Sequence, residues 1–279
     1  MWIRRVIYQR AVTTDSPYRN LAAATIYRRL AAPAQFAKPA RDLVTLLELP
    51  DRALVLDVGS GTGAFADPAS EAVGRSGLVV ALDLSIEMLQ ASDTAGRCRR
   101  VVGQTPGLPF PDHAFDAVGA SFVLPHCRDH KAALADMARV CRSGGRVGIT
   151  AWGAKPNAAG QLWTQIAAAF ADQERTRQAF HGVLPRQEWF ALVDNFARAL
   201  EGAGLVNIHV ETRDYTVEMM PAEYVAMKEA GTDGAVIRQM IDPDAWDDFR
   251  RRIHEAFRER FGGALRFVRD VHFGVGTKR

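Results

Sequence analysis

Val55-Leu56-Asp57-Val58-Gly59-Ser60-Gly61-Thr62-Gly63 is the stretch on which the reading of the fold turns. It closes an apolar run and sets three glycines ahead of a segment of helical character. Glycines at such a strand-to-helix turn let the main chain bend sharply, so that a ligand can lie against backbone atoms. Alone the run is ambiguous, because Gly59, Gly61 and Ala64 also satisfy the G-x-G-x-x-G/A pattern of dinucleotide sites. A merely tight turn is a third reading, which the glycine density opposes. Asp57 separates the first two: a carboxylate just before the first glycine repels a pyrophosphate but suits an ammonium group.

Outward from this loop, apolar runs at 54–58, 78–82, 115–120 and 146–150 alternate with helix-like stretches. Runs that are continuously apolar belong to strands covered on both faces, so the alternation predicts a doubly wound, mostly parallel α/β sheet. The second run closes on Asp83, an acid placed to accept the ribose hydroxyls that nicotinamide dinucleotides and S-adenosylmethionine both offer. Ser85 reads as the following N-cap, with Glu87 in the first turn, so Asp83 is not needed for capping. A helix is expected at 131–141, stopped by Ser143-Gly144-Gly145. Another is expected at 33–49, with Phe36, Ala37, Ala40, Val44 and Leu47 near one face. Downstream, 156–203 reads as mostly helix and 206–217 as a long strand. A helical insert follows, whose stripe of Trp246, Phe249, Ile253 and Phe257 suits core packing, and 265–275 is a last strand.

With 279 residues the chain has room for one core domain plus elaborations. Apolar residues at 48% and charged residues at 24% exclude wholesale disorder. The 35 Lys and Arg against 32 Asp and Glu leave +3, without the clustered basic residues of a nucleic-acid surface. Cys98, Cys127 and Cys141 show no C-x-x-C spacing, which predicts neither disulfides nor a metal site and fits a cytoplasmic location. No run approaches the roughly 18 apolar residues of a transmembrane segment. The opening Met1-Trp2-Ile3-Arg4-Arg5-Val6-Ile7-Tyr8 lacks the apolar centre of a secretory leader. It shares the arginine-rich composition of a transit segment, but a plain N-terminal arm is the expectation.

In their order and separation these motifs resemble the class I S-adenosylmethionine-dependent methyltransferases, especially the small-molecule branch like the ubiquinone/menaquinone-biosynthesis C-methyltransferases. Residues 57–63 resemble the family's first motif. Leu82-Asp83-Leu84-Ser85-Ile86-Glu87-Met88-Leu89 is similar to its ribose motif, with the methionine beside the adenine. Leu108-Pro109-Phe110-Pro111-Asp112-His113-Ala114-Phe115-Asp116-Ala117-Val118 resembles the approach to the fourth strand, and residues 137–146 the segment before the fifth. The resemblance implies a seven-stranded Rossmann-like fold with an N-terminal helical arm and helical caps. It implies S-adenosylmethionine as cofactor and S-adenosylhomocysteine as product, and cofactor contacts from Asp57, Gly59, Ser60, Gly61, Gly63, Asp83, Leu84, Met88, Gln104, Thr105, Ser121 and Phe122. One departure stands out. Where relatives place an acid and a small residue, this chain has Gln104-Thr105, whose carboxamide oxygen still accepts from the adenine amine but without charge assistance. The organisation expected is an arm at 1–32, a cofactor-binding core at 33–152, caps at 153–191 and 220–262 separated by core at 192–219, and a last core strand at 263–279.

The expected reaction moves a methyl group to oxygen, carbon or nitrogen of a small-molecule acceptor, with an apolar or aromatic one favoured. Such a displacement needs the nucleophile in line and water excluded, and a base only for an acceptor that arrives protonated. His126, past the fourth strand, is the catalytic candidate, although ordering its loop is the plainer role. His113 reads as a solvated turn residue, and His181, Tyr18 and Tyr27 are further candidates. Trp163, Phe170, Phe180, Trp189, Met219, Met220, Tyr224 and Met227 suit an apolar acceptor pocket or core packing equally. Two rivals stay open: a nicotinamide-dependent oxidoreductase, opposed by Asp57 and by an expected lack of a Tyr-x-x-x-Lys dyad, and a methyltransferase-like binding protein without turnover. No nucleic-acid partner is expected, and the chain reads as a monomer or homodimer.

Overall fold

β1 (Leu54–Val58) is buried from Val55 to Val58, Asp57 included, as befits a strand with helices over both faces of its sheet. The computed structural model describes residues 17–93 and 98–279. The arginine-rich opening of the arm lies outside the described residues. A short turn at Pro17–Arg19 leads into α1 (Leu21–Ile26), a π-helical stretch (Tyr27–Phe36) and α2 (Ala37–Leu47), one after another without a break. The helix expected at 33–49 therefore begins at Leu21, within the arm. Asn20 is its N-cap, the side chain accepting from Ala22 N–H at 2.8 Å. Pro33 obscured that start, because proline ordinarily marks a first turn and here sits inside the wide π-helical coil.

The order continues with α3 (Ala66–Val73), β2 (Leu78–Asp83), α4 (Ile86–Ala91), β3 (Cys98–Val102), β4 (Phe115–Ser121), α5 (His130–Val140) and β5 (Cys141–Trp152). Then come α6 (Ala158–Ala167), α7 (Gln173–Val183), α8 (Gln187–Phe190), α9 (Asp194–Gly202), β6 (Leu205–Met219), α10 (Pro221–Ala230), α11 (Thr232–Met240), α12 (Pro243–Phe261) and β7 (Leu265–Lys278). The strands form one seven-stranded sheet in the order β3-β2-β1-β4-β5-β7-β6. β1 to β5 are parallel, while β7 runs antiparallel to both β5 and β6. The mostly parallel fold expected from the sequence is thus present. β3 was the strand not singled out; it is an edge, and of its residues only Val101 is fully buried.

α2 and α3 cover one face of the sheet, burying Leu43, Leu47 and Phe65 against Val55, Val79 and Phe273. α5 and α9 cover the other, where Leu134, Met137, Phe196 and Leu200 meet Leu56, Val118 and Ile149. The two helical inserts pack on each other above β6 and β7: Trp163 of α6, Tyr224 of α10, Ile237 of α11 and Phe249, Ile253 and Phe257 of α12 share a third apolar cluster with Val217 and Phe267. Much of the aromatic set that could have lined a pocket is therefore the cap's own core, Trp163 and Tyr224 being 2% and 3% exposed. Helical spacing cannot distinguish the two uses. Among the described residues no helix is long and apolar enough to cross a membrane. Phe249 touches both Trp163 and Phe170 edge-on at 5.5 Å. Phe249→Ala should therefore cost about 3–5 kcal/mol in denaturant unfolding, or melt the cap first in a separate transition.

Candidate active site

β2 and β3 lie to one side of β1, β4 and β5 to the other, so the sheet's switch point falls between β1 and β4, above whose carboxyl ends open α/β sheets bind ligands. The loops leaving those two strands touch. Gly59 has φ 67°, and a Cβ there would collide with the Val123 side chain, so only glycine suits the position. Gly61 and Gly63 are also left-handed. Gly61 N–H donates to Asp83 Oδ2 at 2.7 Å and Ser85 N–H to Oδ1 at 2.8 Å, which fixes the Asp83 carboxylate across the glycine loop. Burial raises the Asp83 pKa, and those two N–H groups and that of Leu84 oppose the rise. Ser85 caps α4 as expected, accepting from Met88 N–H at 3.0 Å, and the Met88 methyl faces Gly61. Gly103 N–H donates to the Asp83 carbonyl at 3.0 Å, bringing the following Gln104 and Thr105 beside the end of β2. The Thr105 hydroxyl donates to the Ala133 carbonyl at 3.2 Å.

Asp57 is the anomaly. It is 1% exposed, and among the described residues neither carboxylate oxygen has a hydrogen-bond partner; nor has the neighbouring Ser60 Oγ. Burial pushes its carboxyl well above the usual range, and the charge of Asp83 adds to the effect. The Ala66 N–H lies on its side and partly offsets the rise, but stands outside hydrogen-bonding geometry. Unpartnered buried carboxylates are costly and cluster at functional sites. An ammonium ligand answers the orphan. Asp83, whose oxygens each keep a free lone pair, has capacity left for hydroxyl donors. The residues therefore fit a ligand that joins an amino acid to a ribose.

The N-terminal segment walls this site. Ser85 Oγ donates to the Tyr18 carbonyl at 2.6 Å, and the Tyr18 and Tyr27 rings meet edge-on at 5.5 Å. Burial raises the Tyr27 pKa well above its usual value, with Tyr18 and Asp83 contributing. From Tyr27 a run of rings continues through Phe36, at 5.3 Å, and Phe122, at 5.0 Å, to Trp152, whose ring lies 4.3 Å from that of Phe122. Phe122 takes φ 60°, unusual for a bulky residue, and its N–H donates to both the carbonyl and the hydroxyl of Thr150 at 3.1 Å. Ser121 Oγ lies 3.3 Å from the same hydroxyl. The sequence reading missed Trp152 and Phe36 as walls, because a strand end and a helix face give no signal of what they enclose.

His126, exposed as a whole residue, ends the turn Leu124–His126. Crowding by the surrounding chain lowers its pKa, and the backbone of Val183 at the end of α7 partly offsets this. His113 and His181 are exposed, in a turn and on α7. The expected lack of a Tyr-x-x-x-Lys spacing was wrong: Tyr224 and Lys228 have it. α10 sets the pair in the cap, with Tyr224 stacked on Phe257 and Lys228 paired with Asp233 at 2.7 Å, away from the glycine loop.

Residues 56–149 match the model of the methyltransferase domain. Over those residues the chain carries a methyltransferase domain. A model of the protein-L-isoaspartate(D-aspartate) O-methyltransferases also matches residues 3–100. A demethylmenaquinone methyltransferase of Renibacterium salmoninarum is 43% identical over 99 residues, 33% of this chain and 38% of that protein. A ubiquinone/menaquinone biosynthesis C-methyltransferase of Hahella chejuensis is 38% identical over 102 residues, 34% and 41% of the two chains. The chain spans less than half the length of these curated relatives. Among solved structures, the phosphoethanolamine N-methyltransferase 2 of Haemonchus contortus in complex with S-adenosyl-L-methionine superposes with TM-score 0.57 at 15% identity, covering 97% of this chain and 61% of that one. The [4+2]-cyclase SpnF superposes with TM-score 0.54 at 15% identity, covering 96% and 98%. These likenesses describe the fold of the methyltransferase domain and its surroundings; activity has to be argued from the site.

The raised pKa of Asp57 has a consequence for stability. The folded chain holds that proton longer than the unfolded chain does, so stability falls as pH rises from the unfolded carboxylate pKa to the raised folded one, and is level outside that window. Asp57→Asn should therefore make the ligand-free protein more stable than wild type at neutral pH, with the gap closing in acid. Denaturant titrations across that pH range measure it.

Proposed function

We propose that the chain transfers a methyl group from S-adenosylmethionine to a small apolar or aromatic acceptor. The observation that supports this reading above the others is the buried, unpartnered Asp57 carboxylate beside a left-handed glycine loop. It is suited to the ammonium of an amino-acid moiety and hostile to a pyrophosphate. In this reading the Gly59–Ser60–Gly61–Gly63 backbone backs the amino-acid end and Asp83 receives the ribose hydroxyls. Leu84, Met88, Gln104 and Thr105 flank the adenine. Bound there, S-adenosylmethionine supplies a methyl group on a positively charged sulfur. Ser121 and Phe122 face the transfer, and Tyr27, Phe36 and Trp152 exclude water and hold a flat acceptor in line.

The names of the relatives point to quinone-type acceptors. Their matched stretches, up to 106 residues, are too short to include the core and both cap inserts, so acceptor choice rests on this chain's own walls. Calorimetric titration with S-adenosylmethionine, S-adenosylhomocysteine and NADH tests the reading. The first two should bind with about micromolar dissociation constants, Asp57→Ala should abolish binding, and Asp83→Ala should weaken it. NADH binding in their place would sink the proposal.

His126 is the candidate base for a protonated acceptor, its lowered pKa keeping the imidazole neutral and able to accept a proton. If it takes that proton, His126→Gln lowers kcat by about 10²–10⁴. A loss well below that range with unchanged pH dependence assigns it to ordering the loop.

A further inference from the structure

Arg269 lies on β7 two residues before Val271, which pairs with Trp152 at the end of β5, so it stands just beyond the carboxyl edge of the sheet. Its guanidinium carbon is 3.5 Å from the centre of the Trp152 ring, and its Nη1–H donates to Gln35 Oε1 at 2.7 Å. Among the described residues no carboxylate comes within 4.0 Å of it, and no other acceptor takes its remaining N–H groups. Neighbouring cations are matched: Lys228 by Asp233 at 2.7 Å, and Arg213 by Asp42 at 3.1 Å. Burial pushes Arg269 down to about 10, with Tyr224, Asp233 and Asp270 acting against that only from a distance.

Gln35 is 7% exposed, and its amide nitrogen donates to Met227 Sδ, which leaves its oxygen turned to Arg269. A cation–π contact returns less than the cost of taking a charge out of water. The run of rings that starts at Tyr27 beside Asp83 ends, through Phe122 and Trp152, at this guanidinium. A planar fork of five N–H donors with one spent is matched by a two-oxygen anion.

We propose that Arg269 is the specificity residue of the acceptor site and that the acceptor is an acid, its carboxylate on an apolar or aromatic frame being received by the open side of the guanidinium. This rests on the methyl-transfer reading, which places an acceptor along these rings. Gln35 is a positioning residue that sets the plane of the fork.

The test is calorimetry at saturating S-adenosylhomocysteine, titrating benzoate, 2-naphthoate and 3-phenylpropanoate, each against its primary amide. At least one acid should bind about tenfold tighter than its amide. Arg269→Met should erase that preference, and Arg269→Lys, which keeps charge without the fork, should reduce it, both with unchanged S-adenosylhomocysteine affinity. Should Arg269→Met lose S-adenosylhomocysteine as well, Gln35→Leu decides: weaker acid binding supports the assignment and unchanged binding overturns it. Acids that bind no better than amides, or a preference that survives in Arg269→Met, overturn it while leaving methyl transfer standing. Wild-type protein that fails to bind S-adenosylhomocysteine sinks the methyl-transfer reading and this inference with it.

Discussion

The carboxylate of Asp57, enclosed at the end of the central strand without a hydrogen-bond partner among the described residues, is the constraint around which the rest of the molecule is arranged. A group in that state destabilises the empty chain by the desolvation of a charge or by the proton it must hold. It stays tolerable because the strand that bears it is locked by β2 and β4 on its two sides and by helices over both faces. If the glycine loop could relax toward the acid, its N–H groups would satisfy Asp57. Gly59 pressed against Val123, and Gly61 held by Asp83, keep the loop from doing so.

The second level of organisation is the cap. Its inserts come from two separate places in the chain, and neither can bury its own apolar stripe. They meet over the extended β6–β7 pair and make a core from one another's aromatic residues. Because β7 is antiparallel to β5, its first half projects past the carboxyl edge of the sheet, where parallel strands would have ended. That projection brings a sheet residue, Arg269, level with the ring of Trp152 and within reach of Gln35 from the N-terminal helix. Three distant segments thus converge on one guanidinium. The π-helical stretch between α1 and α2 takes part in the same convergence, since Tyr27 and Phe36 at its two ends both join the run of rings.

What was legible in the sequence follows from locality. The glycine loop, Asp57, Asp83 and the Ser85 cap are set by residues within a few positions of one another, and each has a physical signature in its own neighbourhood. β1, β2, β4 and α5 could be bounded closely because continuous apolar runs and helical spacing act at short range. The stop expected at Ser143-Gly144-Gly145 does not end the helix: α5 closes at Val140, and those residues lie inside β5, where its pairing with β4 shifts register. β3 escaped because an edge strand needs few apolar residues. The true start of the N-terminal helix escaped because Pro33 imitates a first turn, while the Asn20 cap lies upstream.

Sequence by itself thus determined the parallel α/β core, the loop chemistry and the acids that flank it, because β-α-β order, turn geometry and charge are properties of contiguous residues. Only the tertiary structure decided which aromatic residues became cap core and which became walls, since Trp163 and Trp152 look alike along a chain and differ only in what folds against them. It alone decided that, among the described residues, Asp57 has no hydrogen-bond partner and that Arg269 meets Gln35 and Trp152 but no carboxylate. Each of these is a statement about the absence or arrival of a group from elsewhere in the chain. Pairing between residues separated by hundreds of positions is set by packing, which no local pattern encodes.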